Sequence, residues 1–148
     1  MPKVKLEEQP RYPFCVDLEV RVGDLNYGAH LGYDRLLGLA HQARLVLFER
    51  LGSSELDLGD GRTGVVVADV AVSYLAEAFV HDALVFEIRP VEVGRVGFRL
   101  AHRISHKASG AKVALIEIGF VGYDYGKRRP AGLPEAFRAA LLALDAGE

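Results

Sequence analysis

What this chain lacks narrows it before any motif is read. There is one cysteine and no tryptophan in 148 residues, so no intrachain disulfide can staple the fold. That thiol, Cys15, lies in a strand-like run with no activating base nearby, and it reads as a small buried hydrophobe. Opposite charges nearly cancel, leaving a formal charge of −2. Neither the basic footprint of a nucleic-acid binder nor the acidic excess of a disordered tail is there. No apolar run reaches the ~18–20 residues of a membrane span, and the opening MPKVKLEEQPRYP has no apolar leader core. These absences predict a soluble, cytoplasmic protein with no nucleic-acid or membrane partner. No repeat or linker divides the chain, so residues 1–148 are expected to form one domain.

What is present centres on Asp24 to Leu51, DLNYGAHLGYDRLLGLAHQARLVLFERL. A polar, glycine-containing turn runs into a helix whose apolar residues are Leu36, Leu37, Leu39, Ala40, Ala43, Leu45, Val46, Leu47, Phe48 and Leu51. Spacings of three and four turn a broad stripe inward and leave Arg35, Gln42, Glu49 and Arg50 polar. A helix this apolar, among so many strand-like segments, predicts a central helix wrapped by a sheet. Gly52 stops it, and SSELDLGDGRTG is a polar loop.

The strands follow from alternation. Phe14, Val16, Leu18, Val20 and Val22 oppose Asp17, Glu19 and Arg21 in a half-buried strand after a charged arm over residues 1–13. Val65 to Leu75 is too valine-rich to be exposed on both faces. Ala83 to Val93 sets Leu84, Phe86 and Ile88 against Glu87 and Arg89, and Val96 to His106 sets Val96, Phe98 and Leu100 against Arg99 and Arg103. Gly94 and the Lys107–Gly110 segment read as hairpin turns, returning the chain along Val113 to Tyr125. Residues 133–146 form a short C-terminal helix opened by Leu133-Pro134-Glu135. The expectation is an α+β fold: one strand, the long helix, then four strands in an antiparallel meander, with exposed edges that a second copy would cover.

RVGDLNYGAHLGYDRLLGLAHQAR resembles the opening motif of the hotdog-fold acyl-CoA thioesterases, in the 4-hydroxybenzoyl-CoA thioesterase-like branch. YLAEAFVHDALVFEIRPVEVGRVGFRLAHRI is similar to that family's strand–Gly–strand stretch, and GYDYGKRRPAGLPEAFRAAL to its C-terminal ending. The resemblance covers about residues 14 to 142. It implies a hotdog fold, with the long helix inside a curled antiparallel sheet of five to six strands and a short C-terminal helix. It also implies a homodimer or homotetramer with active sites at the subunit interface, and acyl-CoA as substrate, so that coenzyme A enters with the substrate and no separate cofactor is needed.

Thioester hydrolysis needs a polarised carbonyl and an activated water or nucleophile. Free N–H groups where the helix begins, at Gly32 and Tyr33, are candidates for the oxyanion site. In the best-studied branch a carboxylate occupies the motif's second acidic position, which falls on Asn26; an amide can orient water but cannot act as a base. His30 stands where the Gly-His motif places its histidine, and Asp24 is the nearest carboxylate. Asp24, Asn26 and His30 are therefore the candidate catalytic residues. Gln42 replaces the helix glutamate that other branches use, while His41, Gln42 and Arg44 read as structural, His41 as a packing residue. Candidate substrate contacts are Tyr27 and Gly28 in the turn. Arg95 and Arg99 join them, from a set of cations that also includes Arg103, Lys107 and Lys127-Arg128-Arg129. A metal is not expected, because His102 and His106 are four apart in a strand, about 13 Å. The missing carboxylates leave two competing readings open, a non-catalytic acyl-thioester binder and a hotdog dehydratase or hydratase.

Overall fold

The structure, a computed structural model, describes residues 4–146. Residues 1–3 of the expected arm and 147–148 of the expected domain lie outside that range. The strands are β1 (Phe14–Glu19), β2 (Thr63–Tyr74), β3 (Ala83–Val91), β4 (Gly97–His106), β5 (Lys112–Asp124) and the two-residue β6 (Arg129–Pro130). The helices are α1 (Tyr33–Arg50) and α2 (Glu135–Ala146), with a 3-10 turn at Val22–Asp24. Across the sheet the order is β1-β3-β4-β5-β2, every pairing is antiparallel, and β6 extends β5. This is the hotdog architecture, with a curled six-stranded antiparallel sheet around one long helix.

The expected four-strand meander holds for β3, β4 and β5 but not for β2, which pairs with β5 at the far edge. Side chains explain the swap. Leu84, Phe86 and Ile88 of β3 are all completely buried and suit an interior strand. β2 carries Asp69 and half-exposed Val67 and Val70, which suit an edge. Contrary to the sequence expectation, the middle of β2 is thus open on both faces of a single chain. The connection at residues 75–82 must cross from that edge to the opposite side of the sheet.

On α1, Leu36, Leu39, Ala40, Ala43 and Leu47 recur at three and four and are buried against the sheet, while Arg35, Gln42, Glu49 and Arg50 face outward as expected. At its C-terminal end Phe48 meets Phe98 of β4 and Phe137 of α2, and Phe98 stacks on Phe120 of β5 at 5.0 Å. Aromatic pairs of this kind add about 0.5–1.5 kcal/mol each beyond simple burial. They tie α2 to the helix–sheet core.

The outer face of the sheet is an ion-pair lattice. Arg99 joins Asp69 and Glu117, Arg103 joins Glu87 and Glu8, and Arg89 joins Asp145 of α2. The N-terminal arm lies across this face, with Glu8 also bridging Lys112 and with Tyr12 beneath the Arg103 guanidinium. Alternation correctly separated these charges from the core, but three residues depart from expectation, one of them Val96, which is 58% exposed just before β4 begins. Cys15 is exposed, because it falls on the Asp17–Glu19 side of β1. Val22 is 78% exposed, because the 3-10 turn breaks the strand before it.

Two buried polar groups stand out. Arg44 of α1 reaches Glu55 of the following loop and stacks over Phe120. His41 is an exposed partner of the same Glu55, at 2.8 Å, rather than a packing histidine. Burial pulls the Glu55 carboxyl up, but hydrogen bonds from Arg44 and His41 more than offset that and hold it below its ordinary range. His102 of β4 is 1% exposed; its Nδ1 lies 3.3 Å from the Ile116 carbonyl and its Nε2 has no partner.

Candidate active site

Residues 24–32 close on themselves before α1 starts. Asn26 N–H donates to the His30 carbonyl at 2.9 Å, and Gly32 N–H donates to the Asp24 carbonyl at 2.9 Å. The Asn26 carboxamide oxygen accepts from Gly28 N–H at 2.9 Å, and Ala29 sits in the left-handed region at φ 61°. A Cβ at Gly28 would lie 3.0 Å from the His30 ring, so the glycine gives the imidazole its place.

The Asp24 carboxylate is buried and accepts from Arg21, N–H at 2.9 Å and guanidinium at 3.3 Å. It braces the 3-10 turn and is not among the residues that line the pocket beside it. Gly32 N–H is likewise committed to the Asp24 carbonyl. As N-cap of α1, Gly32 has no side chain to cap the helix, and the N–H groups of Tyr33 and Asp34 have no acceptor among the described residues. The open donors therefore sit one residue later than the expected Gly32–Tyr33 pair.

A pocket of about 420 Å³ opens at this helix start. Its floor is apolar, through Leu31, Leu36 and Val113, and its rim carries Asn26, His30, Tyr33, Tyr74 and Glu77. Tyr74 donates its hydroxyl to the Tyr33 carbonyl at 2.8 Å, pinning the end of β2 to the start of α1. Burial, with Tyr33 and Asp34 nearby, raises this phenol above its ordinary range, which keeps it a donor at neutral pH.

Glu77 was not visible as a candidate in the sequence. It comes from the 75–82 connection, and its Oε2 lies 3.6 Å from His30 Nε2. The two loops are laced by Leu31 N–H donating to the Ala78 carbonyl at 2.7 Å, which sets His30 and Glu77 side by side. His30 Nδ1 lies 3.1 Å from the Leu31 carbonyl; a carbonyl only accepts, so Nδ1 carries a proton, and in the neutral form of the ring the Nε2 lone pair faces Glu77. Two acceptors 3.6 Å apart repel unless a proton or water donates between them. A water about 2.8 Å from each can give one hydrogen to each, leaving its lone pairs toward the pocket.

The remaining expected contacts lie elsewhere. Tyr27 is fully exposed at the tip of the turn. Arg99 is held by Asp69 and Glu117 on the outer face of the sheet, Arg103 by Glu87 and Glu8, and Lys107 by Asp17. Arg95 is exposed in the β3–β4 turn, where its carbonyl accepts from Leu133 N–H. At that same end of the sheet Arg62, Lys127 and Arg129 line a second, polar pocket of about 270 Å³. Asp60 and Asp124 also line it, but their oxygens already accept loop hydrogen bonds from Arg62, Thr63, Gly126 and Lys127. Among the described residues no group of three or more His, Cys, Asp or Glu side chains is placed to hold a metal ion, and no helix is long and apolar enough to cross a membrane.

The profile of the thioesterase-like superfamily matches residues 20–141. A thioesterase from Thermus thermophilus, solved with coenzyme A and Zn, is 30% identical, covers 93% of this chain and 98% of its own, and has a TM-score of 0.77. A 1,4-dihydroxy-2-naphthoyl-CoA thioesterase from Synechocystis shares the fold at 19% identity, 89% and 97% coverage and a TM-score of 0.80. YbaW, a probable thioesterase from Escherichia coli, does so at 22% identity, 86% and 95% coverage and a TM-score of 0.73. No curated protein matches the chain.

Proposed function

The chain belongs to the thioesterase-like superfamily and is a thioester hydrolase, and from that premise we propose that it cleaves an acyl-CoA to the free acid and coenzyme A at the α1 pocket. The observation that carries this is the His30–Glu77 pair, 3.6 Å apart in the pocket wall beside the open N–H groups of Tyr33 and Asp34. It supplies the carboxylate that Asn26 and Gln42 cannot.

The acyl group lies on the floor formed by Leu31, Leu36 and Val113, with its thioester oxygen at the positive end of α1. The water between Nε2 and Glu77 attacks the carbonyl carbon and gives its proton to this pair as the C–O bond forms. The oxyanion collapses, the C–S bond breaks, and the proton passes to the departing thiolate. The Asn26 amide N–H₂ donates to the water or to the thioester oxygen; its own oxygen is already spent on Gly28 N–H.

A second copy completes the site. The exposed edge of β2 offers Val67 and Val70 to an identical strand in antiparallel pairing, and a twofold axis there sets the Thr63 end of one strand against the Tyr74 end of the other. Within one chain these ends are roughly 36 Å apart, whereas the arm from thioester to nucleotide phosphates is about 20 Å at ordinary bond dimensions. Arg62, Lys127 and Arg129 of the second copy, with Arg95 at the same end, are thus the phosphate contacts of this homodimer. An exposed, unpaired thiol at Cys15 suits the reducing cytoplasm.

Free-thiol release from short-, long-chain and aromatic acyl-CoAs, followed with Ellman's reagent, tests the reaction. Binding without thiol release across the set would make the protein an acyl-thioester binder. A histidine–carboxylate pair also suits a hydratase, and enoyl-CoA absorbance recorded in parallel separates the two. Lys127→Ala with Arg129→Ala should raise KM for acyl-CoA while leaving the matching acyl-pantetheine unchanged; equal effects on both would remove these cations from the phosphate site.

A further inference from the structure

Glu77 sits on residues 75–82, a connection that is neither helix nor strand. Loops of this kind are the more mobile parts of a fold. A carboxylate that must share a water with an imidazole tolerates little of that freedom, since a displacement of about 1 Å can cost on the order of 100-fold in rate. The front of the loop is held by Leu31 N–H to the Ala78 carbonyl. The back is held by a different residue, one with no contact to the pocket.

His106 ends β4, paired to Leu84 of β3, so its backbone belongs to the rigid sheet. Its Nε2 lies 3.0 Å from the main-chain carbonyl of Glu77. Because that carbonyl accepts, Nε2 carries the proton. The other nitrogen, Nδ1, faces Asp82 Oδ2 at 3.8 Å. The same Asp82 oxygen accepts from Phe79 N–H at 2.8 Å, and Asp82 N–H returns a bond to the Phe79 carbonyl at 3.0 Å. Asp82 therefore grips the loop's own backbone, a second anchor beside the ring that holds Glu77. Glu87, Arg103, Lys107 and Lys112 line the groove on the ring's other side. Of these, Arg103 is neutralised by Glu87 and Glu8, Lys107 by Asp17 and Lys112 by Glu8.

We propose that His106, with Asp82 as a second anchor of the same loop, is a positioning residue that holds the Glu77 main chain so that its carboxylate meets His30. This rests on the catalytic reading of Glu77 given above. It assigns His106 no contact with substrate. The bond runs to a backbone atom, so a side chain at 106 needs only one N–H donor at the reach of Nε2.

The test is a kinetic cycle on the full-length protein with one acyl-CoA. His106→Ala should lower kcat by about 10- to 100-fold with KM within about twofold, because the loop loosens while the pocket floor stays. His106→Gln, which restores an N–H donor, should recover most of that loss. In a Glu77→Gln background, His106→Ala should change kcat by less than about twofold, since there is no longer a carboxylate to position. The proposal is overturned if His106→Ala leaves kcat unchanged, or if it slows the Glu77→Gln enzyme by the same factor as wild type. A Glu77→Gln enzyme that turns over like wild type would instead sink the catalytic reading itself. Should His106→Ala fail to fold, Asp82→Ala, which frees Phe79 N–H, carries the cycle and the same non-additivity is required.

Discussion

Acid should loosen this fold through one residue, His102. Its ring is 1% exposed, and burial, seconded by the positive charge of Arg44, pushes its pKa from 6.5 down to about 4. A lowered histidine pKa means that between pH 6.5 and 4 the unfolded chain takes up a proton that the folded chain refuses. Stability is therefore intact above pH 6.5 and falls as pH drops through that window. The shift of about 2.5 units at 1.36 kcal/mol per unit gives roughly 3 kcal/mol lost by pH 4, about 2 of it by pH 5. That upper part of the window is informative because Asp60, Asp69 and Asp124 have pKa values lowered below 3.8 and Glu55 below 4.5, so their contributions fade only in stronger acid. Urea denaturation by circular dichroism at half-unit steps from pH 7.5 to 5 measures the slope. His102→Leu removes the group and should flatten it. At pH 7.5 the substitution should change stability little, since it trades a 3.3 Å bond to Ile116 for removal of an orphaned buried Nε2. A variant that keeps the wild-type slope would refute the assignment.

Four other substitutions probe the packing and the turn. Glu55→Ala strands Arg44, whose side chain is only 6% exposed, and should cost about 2–3 kcal/mol in denaturant titration; a loss under 1 would mean the guanidinium finds water. Gly97→Ala and Gly119→Ala should differ sharply. The first puts a Cβ 2.5 Å from the Phe120 carbonyl and should cost about 2 kcal/mol or more, because backbone must move. The second meets the ends of Asp69 and Arg99, which can swing aside, and should cost less than about 1 kcal/mol. Gly28→Ala crowds the His30 ring and should cut kcat at least about tenfold, with an unchanged melting temperature; full activity would show that the imidazole tolerates a shift.

Much of this molecule was legible in one dimension. The helix stripe, the alternation of β3 and β4, the glycine stop at position 52 and the separation of core from charged face are local patterns, set by 3.6- and 2-residue periods. Alternation along β1 even contained the right answer for Cys15, which shares the side of Asp17 and Glu19. The motif around Asn26 and His30 marked the pocket because a tight turn and a helix start are also local.

Sequence alone thus determined the element types, the inward faces and one wall of the site. Only the tertiary structure decided the strand order, because whether β2 lies beside β3 or β5 depends on which inner rows the helix can bury, a matter of packing rather than period. It also decided the opposite wall. Glu77 is an acid in an irregular segment, 47 residues after His30, and nothing in its neighbours marks it. Its meaning arises when the chain recrosses the sheet and a single hydrogen bond, Leu31 to Ala78, brings two loops into contact. Distance along the chain carries no information about such a meeting; the free energy of closing the core does.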